Sequence, residues 1–173
     1  MNCKIEKSKL VGKITCPPNK SYTHRAIFLA ALSDGKSIVK KILRSNDTIA
    51  TINACRGFGV DVEELENNVT IDNTIDETVQ NSMINAENSG TTIRIGIAIA
   101  ALSGGNTTLT GDESLRKRPM QPILDALQTM GVIIESNDGK PPIHINGKIQ
   151  GKEISINGDI SSQFISALLI IAP

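Results

Sequence analysis

Apolar and polar positions fall into a pattern written nearly three times along the chain, at a spacing of about seventy residues. Each copy opens on small polar or basic residues and runs straight into an apolar stretch of helical length. The openings are Pro18-Asn19-Lys20-Ser21, Asn88-Ser89-Gly90-Thr91 and Ser161-Ser162-Gln163. The stretches behind them are Ala26-Ile27-Phe28-Leu29-Ala30-Ala31-Leu32, Ile95-Gly96-Ile97-Ala98-Ile99-Ala100-Ala101-Leu102 and Phe164-Ile165-Ser166-Ala167-Leu168-Leu169. Later segments return more loosely: Gly57-Phe58-Gly59-Val60 as Met130-Gly131-Val132, and Val69-Thr70-Ile71 as Ile143-His144-Ile145. A repeat of this length indicates duplicated supersecondary units.

Each unit reads as strand, helix, strand, helix, strand, strand. In the first, 13–15 is extended and leads into Pro17-Pro18. Asn19 or Ser21 caps a helix that ends near Asp34-Gly35, and 37–40 is a short strand. Asn46-Asp47 starts a second helix over about 48–57, with Ile49, Ile52 and Cys55 on one face. The alternating segments 60–63 and 68–72 form a hairpin. The second unit repeats the plan with helices over 90–103 and 120–130 and strands at 107–109, 132–135 and 143–145. Residues 152–157 open the third, which breaks off at Pro173.

The expected division is therefore units at about 13–75 and 82–147 and a truncated third from about 152. The first helix of each unit is apolar almost all round, whereas the strands alternate. Helices are thus expected inside and sheets outside, each sheet with one wet face. The fold class is α/β, of repeated βαβαββ-like units.

Composition narrows the function classes. Eighteen basic residues balance eighteen acidic ones in 173 residues, so charge gives no hint of a nucleic-acid or membrane partner. With no Trp, one Tyr and three Phe, the core must be aliphatic and base-stacking platforms are not expected. Cys3, Cys16 and Cys55 have no metal or redox spacing, which fits a cytoplasmic setting. His24 and His144 lack a ligand-like partner, and no metal or organic cofactor is expected.

The helix starts carry the candidate chemistry. Such a start offers unpaired N–H groups and a partial positive charge, which together favour anions. Lys20, Ser21 and Arg25 add an ammonium, a hydroxyl and a planar guanidinium, a set suited to phosphate or carboxylate. Gly90, between Asn88-Ser89 and Thr91-Thr92, lets a ligand approach the backbone closely. Arg118 closes a basic turn, Arg116-Lys117-Arg118-Pro119, whose proline suits a first helical turn. Ser161, Ser162 and Gln163 supply two hydroxyls and an amide. Taken singly, each of these also reads as an ordinary cap with solvated charges.

Their order is more specific. Pro18-Asn19-Lys20-Ser21 with Arg25-Ala26, Asn88-Ser89-Gly90-Thr91-Thr92 with Arg94, Leu109-Thr110-Gly111-Asp112 with Arg118-Pro119-Met120, and Ser161-Ser162-Gln163-Phe164 resemble four successive motifs of the 5-enolpyruvylshikimate-3-phosphate synthase family. The resemblance implies most of a first ligand-facing domain, with a second domain absent from this chain. It implies transfer of enolpyruvate from phosphoenolpyruvate to the 5-hydroxyl of shikimate 3-phosphate, in aromatic amino acid biosynthesis, through a tetrahedral ketal with release of phosphate. By resemblance, Ser21, Arg25, Ser161, Ser162 and Gln163 contact shikimate 3-phosphate. Lys20, Gly90, Arg118 and Gln163 contact phosphoenolpyruvate, with Lys20 the catalytic group where both ligands meet and Asn88 and Thr91 beside them. The family's acid–base carboxylates belong to the second domain, so these 173 residues alone are expected to be inactive. Two other readings stand beside this one: a non-catalytic anion-binding module, and an enolpyruvyl transferase acting on a UDP-sugar. Against the latter, the stretch 111–117 lacks the reactive cysteine usual in that relative.

Overall fold

The computed structural model describes residues 3–4, 6–9, 11–73 and 81–172. The first unit contains α1 (Lys20–Leu32), β1 (Gly35–Val39), α2 (Asn46–Gly57), β2 (Asp61–Leu65) and β3 (Asn68–Asn73). The second contains β4 (Asn81–Asn85), α3 (Gly90–Ser103), β5 (Asn106–Thr110), α4 (Gln121–Thr129), β6 (Ile133–Asn137) and β7 (Lys140–Asn146). A 3-10 turn, Leu115–Lys117, precedes α4, and α5 (Ser162–Ile171) stands where the third unit begins.

The duplication is visible in the sheets. The first has strand order β1-β3-β2, all antiparallel. The second has order β4-β5-β7-β6, in which β5-β7-β6 repeats that antiparallel pattern and β4 adds a parallel strand beside β5. α1 packs on β1 and β3, α3 on β5 and β7, and α1, α2, α4 and α5 all meet α3. The helices are inside and the sheets outside, as the patterning predicts.

α3 is the centre of the core. Ile93, Ile95, Ile97 and Ile99 are buried together with Ala98, Ala100 and Ala101. A β-branched run is no strong helix former on propensity, so burial on all sides is what holds it. Gly104 ends it at φ 74°, a left-handed conformation that glycine adopts without penalty. α1 and α5 are less enclosed than their apolar sequences suggest: Tyr22, Leu29 and Leu169 are exposed.

Several expectations need correction. Residues 13–15 form no strand. Ile14 is exposed and the segment runs into two prolines, so it offers little burial and few donors to the free edge of β1. Residues 152–157 are likewise unpaired, although Ile154 and Ile156 still turn inward in alternation. The N-cap of α2 is Ser45 rather than Asn46 or Asp47. Ser45 Oγ accepts from Thr48 N at 3.3 Å while Thr48 Oγ1 accepts from Ser45 N at 2.9 Å, a capping box. Pro119 precedes α4, and the proline in that helix's first turn is Pro122. The unit boundary expected near residue 75, and the chain end at Pro173, lie outside the described residues.

Candidate functional site

The polar openings of the three repeats lie side by side. Asn19 caps α1 by accepting from Tyr22 N at 3.0 Å, which leaves Lys20 and Ser21 exposed at the mouth. Lys20 Nζ pairs with Asp47 Oδ2 at 2.7 Å, so the first turn of α2 supplies a carboxylate to the lysine. One turn into α1, Arg25 donates to Ser21 O at 3.1 Å and to Ser166 Oγ at 3.2 Å. Ser166 in turn donates to Ser162 O, so Arg25 is held against the start of α5.

α3 and α5 meet through Gln163. Its Nε2 donates to Thr91 Oγ1 at 3.1 Å, and its Oε1 accepts from Arg94 Nη1 at 2.6 Å. Arg94 also lies over the Phe164 ring, 5.1 Å from its centroid, and donates to Gly90 O at 3.3 Å. Burial, and then the nearby Arg118, hold its pKa below the ordinary guanidinium value. A guanidinium does not lose its proton in a protein, so this crowding of cations favours an anion between them. Ser161 caps α5 by accepting from Gln163 N at 3.2 Å.

Arg118 is oriented by a relay. Its Nη2 donates to Asn88 Oδ1 at 2.7 Å, and Asn88 Nδ2 donates to Asp112 Oδ2 at 2.7 Å. The N–H of Leu115, and then Asn88, keep Asp112 below the usual carboxylate range, so it remains a fixed acceptor at neutral pH. The guanidinium also crosses Gly90: a Cβ there would lie 3.2 Å from Arg118 Nη1 and 2.7 Å from Arg94 Nη1. Two arginines thus close over a helix start where a methyl group would displace at least one guanidinium.

All the sequence-predicted site residues therefore fall in one neighbourhood. Lys20 and Asp47 form one part, Arg25 with Ser162 another, and Gly90, Thr91, Arg118 and Gln163 a third. Asn88 is exposed and is engaged with both Arg118 and Asp112. Asp47, Arg94 and Ser166 were not expected here. Arg94 accompanies the 88–92 motif in the resemblance, which gives it no role, and its place as a lone arginine inside the otherwise apolar run 93–102 is a second signal that marks it in the sequence. Cys55 is buried, and burial pushes its thiol up to about 12, so it is a packing residue. Among the described residues, no group of three or more His, Cys, Asp or Glu is arranged to hold a metal.

Repeated α/β units with helices inside, and cation-bearing helix starts gathered at one mouth, define a domain of the enolpyruvyl transferase fold. A family model described as EPSP synthase (3-phosphoshikimate 1-carboxyvinyltransferase) matches residues 5–173, and the chain belongs to that family. It is 57% identical over 173 residues to the 3-phosphoshikimate 1-carboxyvinyltransferase of Nitrosopumilus maritimus, covering all of this chain and 41% of that protein. It is 46% identical over 176 residues to that of Methanothermobacter thermautotrophicus, covering 42% of it. The solved EPSP synthase from Acinetobacter baumannii superposes with a TM-score of 0.81 at 33% identity, over 92% of this chain and 38% of that one. The chain spans about 41% of the first of these relatives' length.

Proposed function

We propose that the whole protein transfers the enolpyruvyl group of phosphoenolpyruvate to the 5-hydroxyl of shikimate 3-phosphate, and that this chain supplies the anion-holding half of the site. The observation that carries the reading is the convergence of Lys20, Arg25, Arg94 and Arg118 on three adjacent helix starts, with Gly90 between the last two. Both substrates are anionic and repel one another. Fixed cations and unpaired amides offset that repulsion and hold the hydroxyl against the enol carbon.

In this reading, Ser21, Arg25, Ser161, Ser162 and Gln163 hold shikimate 3-phosphate. Lys20, Gly90, Arg118 and Gln163 hold phosphoenolpyruvate, with Asn88 and Thr91 supporting the α3 side. Lys20 stands between the ligands, and Asp47 is its counter-ion until they arrive. The groups that move protons at the reacting carbon are proposed to lie in a further domain of the whole protein, a reading supported by the greater length of the relatives. Three unpaired thiols support a cytoplasmic setting, and no described helix is long and apolar enough to cross a membrane.

Calorimetric titration of the full-length protein with shikimate 3-phosphate tests the assignment. Arg25→Ala should weaken binding by roughly ten- to more than hundredfold, the worth of a charged hydrogen bond. Arg25→Lys should recover only part of this, because an ammonium cannot reproduce the planar fork. Lys117→Ala, which removes an exposed lysine whose ammonium pairs with Glu113, should bind as wild type. Equal affinity for wild type and Arg25→Ala would refute the assignment.

A further inference from the structure

Behind the Lys20–Asp47 pair lies a polar chain sealed from solvent. His24 stands one turn below Lys20 on α1, and Thr51 one turn below Asp47 on α2. His24 Nδ1 lies 2.6 Å from Thr51 Oγ1, which lies 2.7 Å from Thr92 Oγ1 on α3. Thr92 Oγ1 donates to Ser89 Oγ at 2.7 Å. Ser89 is the N-cap of α3 and accepts from Thr92 N at 3.2 Å. His24 and Ser89 are each 1% exposed, and Thr51 and Thr92 are 0% exposed.

The donor direction follows from proton counting. A hydroxyl has one proton. Thr51 Oγ1 and Thr92 Oγ1 each also lie 3.3 Å from Asp47 O, which can only accept, but their contacts along the chain are shorter, at 2.7 Å. With the Thr92 proton on Ser89, the Thr51 proton goes to Thr92 and His24 Nδ1 donates to Thr51. His24 Nε2 is buried with no partner among the described residues, so a proton there would be an orphaned donor, while a bare lone pair costs less. Aliphatic side chains could fill this place at similar or better stability. A directed polar chain adds a fixed geometry between helices that apolar packing alone does not specify.

We infer that His24 is a positioning residue: protonated at Nδ1, it heads a one-way hydrogen-bond chain through Thr51 and Thr92 to Ser89. The chain fixes the Ser89–Thr91 helix start relative to α1, and so sets the distance between an anion at Gly90 and the ammonium of Lys20. The inference rests on the proposed function for what that anion is, namely phosphoenolpyruvate. Burial accounts for most of the fall of the His24 pKa to about 4, with Asp47 opposing and Lys20 and Arg25 adding to it, so the ring is neutral at physiological pH.

The test uses the full-length protein with His24→Leu, Thr92→Val, their combination, and His24→Asn, whose amide can donate from near the Nδ1 position. Steady-state kinetics are run against each substrate, and 15N spectra of histidine-labelled wild type are recorded at pH 7. His24→Leu and Thr92→Val should each raise KM for phosphoenolpyruvate about tenfold, the effect of one lost buried hydrogen bond. The double variant should be little worse than either single, because both cut the same chain. KM for shikimate 3-phosphate should move far less, His24→Asn should recover most of the loss, and the spectrum should place the proton on Nδ1.

An unchanged phosphoenolpyruvate KM overturns the inference. So does a loss shared by both substrates that tracks melting temperature and is not rescued by His24→Asn, or a proton found on Nε2. Should the variants not fold, the wild-type spectrum decides between Nδ1 and Nε2. A wild type that consumes no phosphoenolpyruvate with either acceptor sinks the functional reading instead, and the spectrum then decides the hydrogen-bond chain by itself.

Discussion

A methyl group at position 90 would fall 2.7 Å from Arg94 Nη1 and 3.2 Å from Arg118 Nη1, so Gly90→Ala must push at least one guanidinium aside. Alanine improves the intrinsic helix propensity of α3 by up to about 1 kcal/mol, so the fold should survive. The displaced arginine should nonetheless raise KM for phosphoenolpyruvate, roughly tenfold or more if one charged hydrogen bond is lost. Steady-state kinetics beside thermal melting separates the two effects, and a melting temperature that collapses with KM would contradict this account. His24 gives a second residue-scale prediction. Its folded pKa of about 4 lies below the ordinary 6.5, so the unfolded chain binds the proton more readily. The associated stability is fully present above about pH 6.5 and is lost as pH falls towards 4, by on the order of 3 kcal/mol. Urea denaturation at pH 7 and pH 4.5 should show this slope in wild type and a flatter one in His24→Asn. Identical slopes would show that His24 does not titrate differently on folding.

At the scale of elements, α2 depends on its capping box and α3 on its burial. Ser45→Ala should cost about 1 kcal/mol, since it strands the Thr48 amide. Ile97→Ala, at a fully buried position on α3, should cost about 2–5 kcal/mol through the cavity it leaves. Denaturant titration that ranks Ser45→Ala above Ile97→Ala would contradict this division of roles. Helices and hairpins were legible in the sequence because their apolar periods differ: 95–101 is apolar throughout, and β7 alternates from Pro141 to Asn146. β4 was not read as a strand, because Asn81-Ser82-Met83-Ile84-Asn85 has no clean alternation and buries only Ile84. Its strand character comes from pairing parallel to β5, which no local pattern encodes. The converse holds for 13–15 and 152–157, where a strand-like segment stays unpaired although the sheets keep free edges.

At the scale of the whole molecule, the polar starts were legible one by one, and the repeat suggested that they converge. What escaped sequence reading was the set of partners that fix them. Asp47 reaches Lys20 across 27 positions, Gln163 reaches Arg94 across 69, and Ser166 reaches Arg25 across 141. Such pairs are products of helix packing, so Asp47 looked like an ordinary cap and His24 like an ordinary helix-face residue. The fold thus gathers scattered caps and lone cations at one mouth, which we propose holds the anionic substrates. The most direct measurement of that claim is phosphate release from phosphoenolpyruvate by the full-length protein, with shikimate 3-phosphate or a UDP-sugar as acceptor. Release that requires shikimate 3-phosphate, is lost in Arg118→Ala, and is absent when the 173 residues are assayed alone is the predicted result. Release driven by the UDP-sugar, or by neither acceptor, or undiminished in Arg118→Ala, would contradict it.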